Sequence, residues 1–292
     1  MDNRRGSQWF TLFFVFFVFF YFFACGKVVP KSINWVANFE EASRIAKSEN
    51  KNLVLDFYTD WCKWCKKLAD STFTDTSLIR FSMDLVFFKT NAEKDTALAE
   101  RFKVNGYPTV ILANPSGEEI DRVVGYAPAP DFMQKINGYL KGEGTLADLE
   151  NKLKKDTTST ELWFKVGEKY QERKRFEEAI LNYNKVISLD PKDSTQKSSE
   201  ALFNIGLIYR KQKEYPKAID KFQEMLKGYP KSELSLDAEE LIPDAYVKMG
   251  DTAQAVSLYR DIIKKHPDLE QSEKEYLEKV INKLEGEKEA QE

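Results

Sequence analysis

Two cysteines three residues apart, in Asp60-Trp61-Cys62-Lys63-Trp64-Cys65-Lys66, are the side chains of this sequence best suited to chemistry. They follow the buried-strand pattern Asn52-Leu53-Val54-Leu55-Asp56-Phe57-Tyr58 and fall where a helix would begin. A thiol at a helix N-terminus faces backbone N–H groups and the positive end of the helix dipole, and both favour the thiolate that attacks disulfides. A second thiol one turn on can close a short disulfide and release the partner. This is the arrangement of thiol–disulfide exchange. Cys-x-x-Cys also serves as half of a zinc site, but such a site needs two more ligands. The third cysteine is Cys25, at the end of a hydrophobic segment, and the single histidine, His266, lies far away in a different kind of sequence. No metal and no other cofactor is therefore expected. A purely structural disulfide would close too small a loop to stabilise much, so the redox reading is preferred.

The elements that must hold this pair follow from periodicity. Phe39 to Glu49 places Ala42, Ile45 and Ala46 on one helical face, and Leu53–Tyr58 reads as a buried strand. Cys62 to Ser71 reads as helix, Leu85 to Asn91 as strand and Asp95 to Phe102 as helix. Val110 to Ala113 and Glu119 to Gly125 read as a hairpin around Pro115-Ser116-Gly117, and a last helix spans Pro130 to Lys141. Alternating strands and helices imply an α/β domain, a sheet covered on both faces, which about 110 residues can support.

From residue 31 to about 141 the chain resembles a thioredoxin-fold protein. Asp56 stands where the family has its buried acid, Lys89 matches the lysine placed near that acid, and Gly106-Tyr107-Pro108-Thr109 matches the loop whose cis-proline lies against the cysteines. Within the family, Trp61 to Lys66 followed by Phe73-Thr74-Asp75 is most similar to the reductases with Trp-Cys-x-Trp-Cys-Lys and Phe-x-Asp. Two positions depart: Lys63 replaces the glycine common after the first cysteine, and Trp64 replaces the proline of thioredoxin itself. The resemblance implies a central mixed sheet with helices on both faces and a site made of Cys62, Cys65, Asp56 and Lys89. Cys62, exposed at the helix N-terminus, is expected to be the nucleophile and Cys65 the less exposed resolving thiol. Asp56 can accept the Cys65 proton, because a carboxyl in an apolar strand has its pKa raised toward neutrality. Lys89 would bias Asp56 by pairing with it. Trp61 and Trp64 would wall the site, and the Tyr107-Pro108 loop would offer a client chain a backbone edge.

The N-terminus speaks to compartment. Arg4 and Arg5 precede a run from Trp9 to Ala24 that is almost entirely Phe, Val, Leu and Tyr, without charge. Residues 1–25 read as a signal peptide or membrane anchor, with the chain beyond residue 25 exported. Phe22-Phe23-Ala24-Cys25 resembles a bacterial lipoprotein cleavage box, which makes Cys25 a lipidation candidate. The expectation is a cell-envelope or periplasmic protein attached to the membrane through its N-terminus. The net charge of −3 gives no reason to expect nucleic acid.

Beyond a Gly142/Gly144 hinge, a short helix at Leu146–Lys154 and a polar break ending near 159, one pattern recurs. Trp163, Gly167, Tyr170, Ala179, Tyr183 and Pro191 form a first copy; Leu202, Gly206, Tyr209, Ala218, Phe222 and Pro230 a second; Tyr246, Ala255, Tyr259 and Pro267 a third. The spacings resemble the tetratricopeptide repeat, so residues 160–270 are expected to form an all-α solenoid of about three repeats. Pro243 stands where the third copy would have its small residue and is expected to weaken or kink that helix. A charged helix over 271–285 would cap the stack, and 286–292 is expected to be a disordered tail. Two functions compete. One is an exported thiol–disulfide oxidoreductase, preferentially a reductase, that is recharged by a membrane or soluble electron donor. It would take disulfide-containing client proteins, with a protein or peptide ligand in the repeat groove. The other is an envelope repeat adaptor whose thioredoxin fold is mainly a binding module.

Overall fold

The computed structural model of the protein describes residues 30–289. The expected signal or anchor segment 1–25, with Cys25, lies outside the described residues. Among those described, no helix is long and apolar enough to cross a membrane.

Five strands form one sheet in the order β1-β3-β2-β4-β5: β1 (Trp35–Val36), β2 (Leu53–Tyr58), β3 (Val86–Asn91), β4 (Thr109–Ala113) and β5 (Glu119–Val124). β1, β3 and β2 run parallel, β4 pairs antiparallel with β2, and β5 pairs antiparallel with β4. β2 is central and covered on both faces, which explains its near-continuous apolar run. Leu53, Leu55 and Phe57 face α1 (Phe39–Glu49) and α4 (Thr96–Arg101), in a core with Ala42, Ala46, Leu98 and Ala99. Val54 faces the opposite side, with Leu68, Phe73, Leu78, Phe132 and Ile136. That side is covered by α2 (Lys63–Lys67), α3 (Thr76–Phe81) and α5 (Ala129–Leu140). The period of two along β2 therefore turns Asp56 toward the side of the cysteine helix.

That helix is not the single α-helix expected from Cys62 to Ser71. After Lys67 it loosens into a π turn, Leu68–Thr72, where Phe73 N bonds Leu68 O at 3.0 Å. Two elements escaped the periodicity: β1, only two residues long, and α3. Asp75 caps α3 by accepting from Ser77 N and Leu78 N at 2.8 and 3.1 Å.

The repeats are three helix pairs: α7 (Thr160–Glu172) with α8 (Phe176–Leu189), α9 (Lys197–Lys211) with α10 (Tyr215–Gly228), and α11 (Ser235–Met249) with α12 (Thr252–Lys265). Each of the first two pairs closes by setting a glycine against an aromatic ring. A Cβ on Gly167 would lie 2.7 Å from the Tyr183 ring, and one on Gly206 would lie 2.4 Å from the Phe222 ring. Overpacking costs about 1–3 kcal/mol, which outweighs the ~1 kcal/mol of helix propensity that alanine gains over glycine. Gly206→Ala is accordingly expected to lower the melting temperature followed by circular dichroism, and an unchanged melt would mean that the Phe222 ring yields freely.

At the far end α11 runs continuously through Pro243, which removes one backbone N–H from the helix, with Ile242 and Ala245 buried in the core between repeats. The capping helix, α13 (Gln271–Glu289), continues past 285 into the segment expected to be disordered. Buried Leu284 and the Glu285 carboxylate, which accepts from Arg260 at 2.8 and 2.9 Å, hold its last turns in place.

The glycine link expected as a hinge is a turn with a bond of its own. Gly142 and Gly144 take φ of +76° and +67°, and Gly144 N donates to Asp148 Oδ2 at 2.7 Å. α6 (Leu146–Lys155) then packs Leu149 and Leu153 on Val166 and Trp163. Behind the link lies a seam of buried charge. Asp121 of β5, wholly buried, accepts from Leu146 N at 2.7 Å and Lys169 Nζ at 2.5 Å, and Arg173 Nη2 lies 3.2 Å away. Glu119 pairs with both Arg122 and Arg173, and Arg122 Nη1 reaches Glu172 O at 2.9 Å.

Candidate redox site

Cys62 is the N-cap of α2, and its Sγ accepts the Cys65 backbone N–H at 3.0 Å. Cys62 and Cys65 form a disulfide, with Cα atoms 5.3 Å apart. The expected difference in exposure is not seen, since Cys62 is 4% and Cys65 6% exposed. In the oxidised pair the Cys62 sulfur turns in toward its partner. The nucleophile assignment therefore rests on the cap: a thiolate at Cys62 would keep the Cys65 N–H as donor, whereas Cys65 lies a turn inside the helix.

Asp56 is buried, 6% exposed, and its Oδ1 has no hydrogen-bond partner. Burial pushes its carboxyl from 3.8 up to about 7, with the Lys89 charge drawing it part of the way down. The expected pairing of the two is corrected. They are register partners on β2 and β3, yet among the described residues no ion pair joins them, and the exposed Lys89 holds its Nζ 4.9 Å over the Trp35 ring. Neighbours in register on adjacent strands present their side chains to one face without being within bonding reach, so Lys89 acts on Asp56 through space.

The peptide Tyr107-Pro108 is cis, immediately before β4. Pro108 is buried and its carbonyl accepts from Gly125 N at 2.8 Å. It has no backbone N–H. Trp61 and Trp64 are 65% and 55% exposed, a large apolar area beside the disulfide. Trp61 is held by a 2.8 Å bond from Nε1 to Glu93 Oε1 and meets the Tyr107 ring edge-on at 6.0 Å. Trp64 stacks on Tyr126 at 5.8 Å, and Lys67 Nζ lies 5.0 and 4.6 Å over the two rings. Sequence reasoning missed Glu93, Tyr126 and Lys67. Lys67 was within reach, since it sits three residues after Trp64 on the same helical face. Glu93 and Tyr126 come from other elements and carry no local signal.

Lys63 is exposed beside the capping thiol. A partly screened cation there would lower a thiol pKa by a few tenths to about one unit. Lys63→Gly is thus expected to raise the Cys62 pKa in a titration of thiolate absorbance, and superimposed titrations would show that the cap alone sets it.

A redox-active Cys-x-x-Cys pair at a helix start, a buried acid turned to the same side and a cis-proline loop, on this sheet order, define a class. The chain carries a thioredoxin-like domain with a Cys-x-x-Cys disulfide, followed by tetratricopeptide repeats. Residues 39–139 match the thioredoxin-like domain family, and residues 160–193, 200–232 and 244–269 match tetratricopeptide repeats. The chain is similar to the thiol:disulfide interchange protein DsbD of Ralstonia nicotianae, 32% identical over 114 residues, which covers 37% of this chain and 19% of that protein. It is also similar to DsbD of Salmonella typhimurium, 34% identical over 99 residues, 32% of this chain and 18% of that one. The chain thus spans about one fifth of the length of these relatives. Among solved structures, a DsbH oxidoreductase aligns with a TM-score of 0.36 at 18% identity, over 48% of this chain and 94% of its own. A mutant thioredoxin from Halobacterium salinarum aligns with 0.33 at 28% identity, over 39% and 96%.

Proposed function

We propose that this protein is an exported disulfide reductase of the cell envelope, held at the membrane through its N-terminus, whose repeats bind clients or partners. The observation that carries the reading is the buried Asp56 carboxyl, poised near neutral pH on the sheet face that the cysteine helix covers. A reductant must release its product by having the resolving thiol attack, and a base titrating near 7 serves that step. The Cys62 thiolate attacks a client disulfide; a Cys62–client bond forms and one client thiolate leaves. Cys65 gives its proton to Asp56 and attacks the Cys62 sulfur, expelling the second client thiol. Two electrons have moved to the client, and the Cys62–Cys65 disulfide seen in the structure is the product. A dithiol donor must then restore the reduced pair, and membrane attachment would place the protein beside one. The relatives named for thiol:disulfide interchange support the chemistry, and the charged start and apolar run of residues 4–24 support export.

The repeats support a binding role through their shape. A cavity of about 630 Å³ is lined by Phe164, Glu168, Glu200, Phe203, Asn204 and Tyr229, large enough for several residues of an extended peptide. The deciding measurement is the reduction potential of the Cys62–Cys65 pair in glutathione and dithiothreitol buffers. A value near about −270 mV is expected of a reductant, and one near about −120 mV would make the protein a disulfide-forming oxidant instead.

A further inference from the structure

We propose that the repeat domain holds the client-binding loop of the redox domain in its working position, with Lys211 as the principal positioning residue. The inference rests on the proposed use of the Tyr107 edge by client chains. Residues 102–108 join α4 to β4 and contain no regular secondary structure. Within the redox domain the two ends of the segment are bonded, by Phe102 N to Leu98 O, Lys103 N to Glu100 O, Val104 N to Ala99 O, Thr109 Oγ1 to Gly106 O and Gly125 N to Pro108 O. The centre of the loop is fixed from outside. Asn105 Nδ2 donates to Gln171 O of α7 at 2.7 Å, and Asn105 O accepts from Lys211 Nζ in the last turn of α9. Both groups of Asn105 are thus held by the repeats, three residues before the cis-proline.

The start of the loop is fixed through the seam. Arg122 Nη2 donates to Phe102 O at 2.8 Å while its Nη1 donates to Glu172 O, and Lys174 pairs with Glu100 at 3.0 Å. Two repeats therefore converge on one irregular segment, from the last turn of each first helix. That segment ends in the peptide whose orientation decides whether a client strand can pair beside Cys62. Lys211 is exposed overall, while partial burial of its ammonium, with Lys174 nearby, lowers its pKa, and the Asn105 carbonyl accepts one of its donors. A bond to a loop matters for binding only when a ligand uses that loop. Clients with a polypeptide backbone should feel the loss of Lys211, and a small aromatic disulfide that meets only the cysteines should not.

The test uses the full chain and three variants, Lys211→Met, Lys211→Arg and Asn105→Ala. Each is assayed for reduction of insulin with dithiothreitol as donor, and for reduction of 5,5′-dithiobis(2-nitrobenzoate) in a single turnover of the pre-reduced protein freed of dithiothreitol. Lys211→Met is expected to raise KM for insulin about fivefold, the size of one hydrogen bond, with kcat unchanged. The rate with the small disulfide should stay within about twofold, and Lys211→Arg, which can still donate, should restore KM. Asn105→Ala should move KM in the same direction. Amide exchange of residues 103–107 should accelerate in Lys211→Met. An unchanged KM for insulin, or an equal slowing with both disulfides, would overturn the proposal. If the wild-type chain reduced neither substrate, the proposed function would fall, and loop exchange would still decide this inference: protection equal to wild type overturns it.

Discussion

Asp56→Asn is expected to slow insulin reduction about 100-fold at pH 7 and, in the same protein, to make the oxidised form more stable at pH 8. The two effects share one cause. Wild-type activity should rise as pH passes about 7, where Asp56 ionises, whereas the variant should be flat there. Stability runs the other way. The folded carboxyl keeps its proton up to about 7 while the unfolded one releases it near 3.8, so between those values the folded state holds the extra proton. The folded state is then favoured at low pH and loses ground as pH rises through that window, by on the order of 4 kcal/mol in all. Asparagine cannot ionise, so that decline should vanish. Thermal melts of both proteins between pH 4 and 8 check it, and two parallel curves would mean that Asp56 titrates as an ordinary surface acid. On the proposed function, the site would tolerate a destabilising group because the chemistry needs it.

Asp121→Ala is expected to be the most damaging change away from the cysteines. It strands Lys169 and Arg173, both largely buried, and deprives Leu146 N of its acceptor. Breaking a buried charge pair costs about 3–5 kcal/mol, and Arg173 keeps Glu119, which favours the lower end. Glu161→Ala is the control. Glu161 pairs with Lys165 at 3.0 Å with both side chains half exposed, and such pairs contribute below about 0.5 kcal/mol. The expected readouts for Asp121→Ala are an earlier melt and new trypsin cleavage near Lys141 on the link. A chain that melts and resists cleavage like wild type would show the seam to be ornamental.

How legible each part was depended on how locally it is encoded. Cys62 and Cys65 lie in a short run that their spacing identifies, Asp56 and the Tyr107-Pro108 loop are legible through the resemblance to the thioredoxin fold, and each of the first two repeats carries its own glycine and aromatic residue. The Lys89 pairing failed because register neighbours on adjacent strands need not touch; only the path of a flexible side chain decides that, and here it leads to Trp35. Glu93 and Tyr126 reach the site from other parts of the fold, so nothing near the cysteines announces them. The seam was invisible for a sharper reason. Asp121 and Arg122 sit on an edge strand, where charge ordinarily means water, and only the presence of a second domain turns them into a buried contact.

That seam changes what the link between the domains can do. Two modules on a slack tether sample many separations, and a segment bound to one meets the other at a concentration averaged over all of them. Here the glycine turn is bonded at Gly144 and the domains are clamped through Asp121, Arg122 and Asn105. These bonds tie the array to the domain that carries the cysteine pair, so on the proposed function the distance between them would work as a ruler. A client gripped by the repeats would then bring to Cys62 only those disulfides lying a set length of chain from the gripped segment, and the spacing within the client would become a criterion of selection.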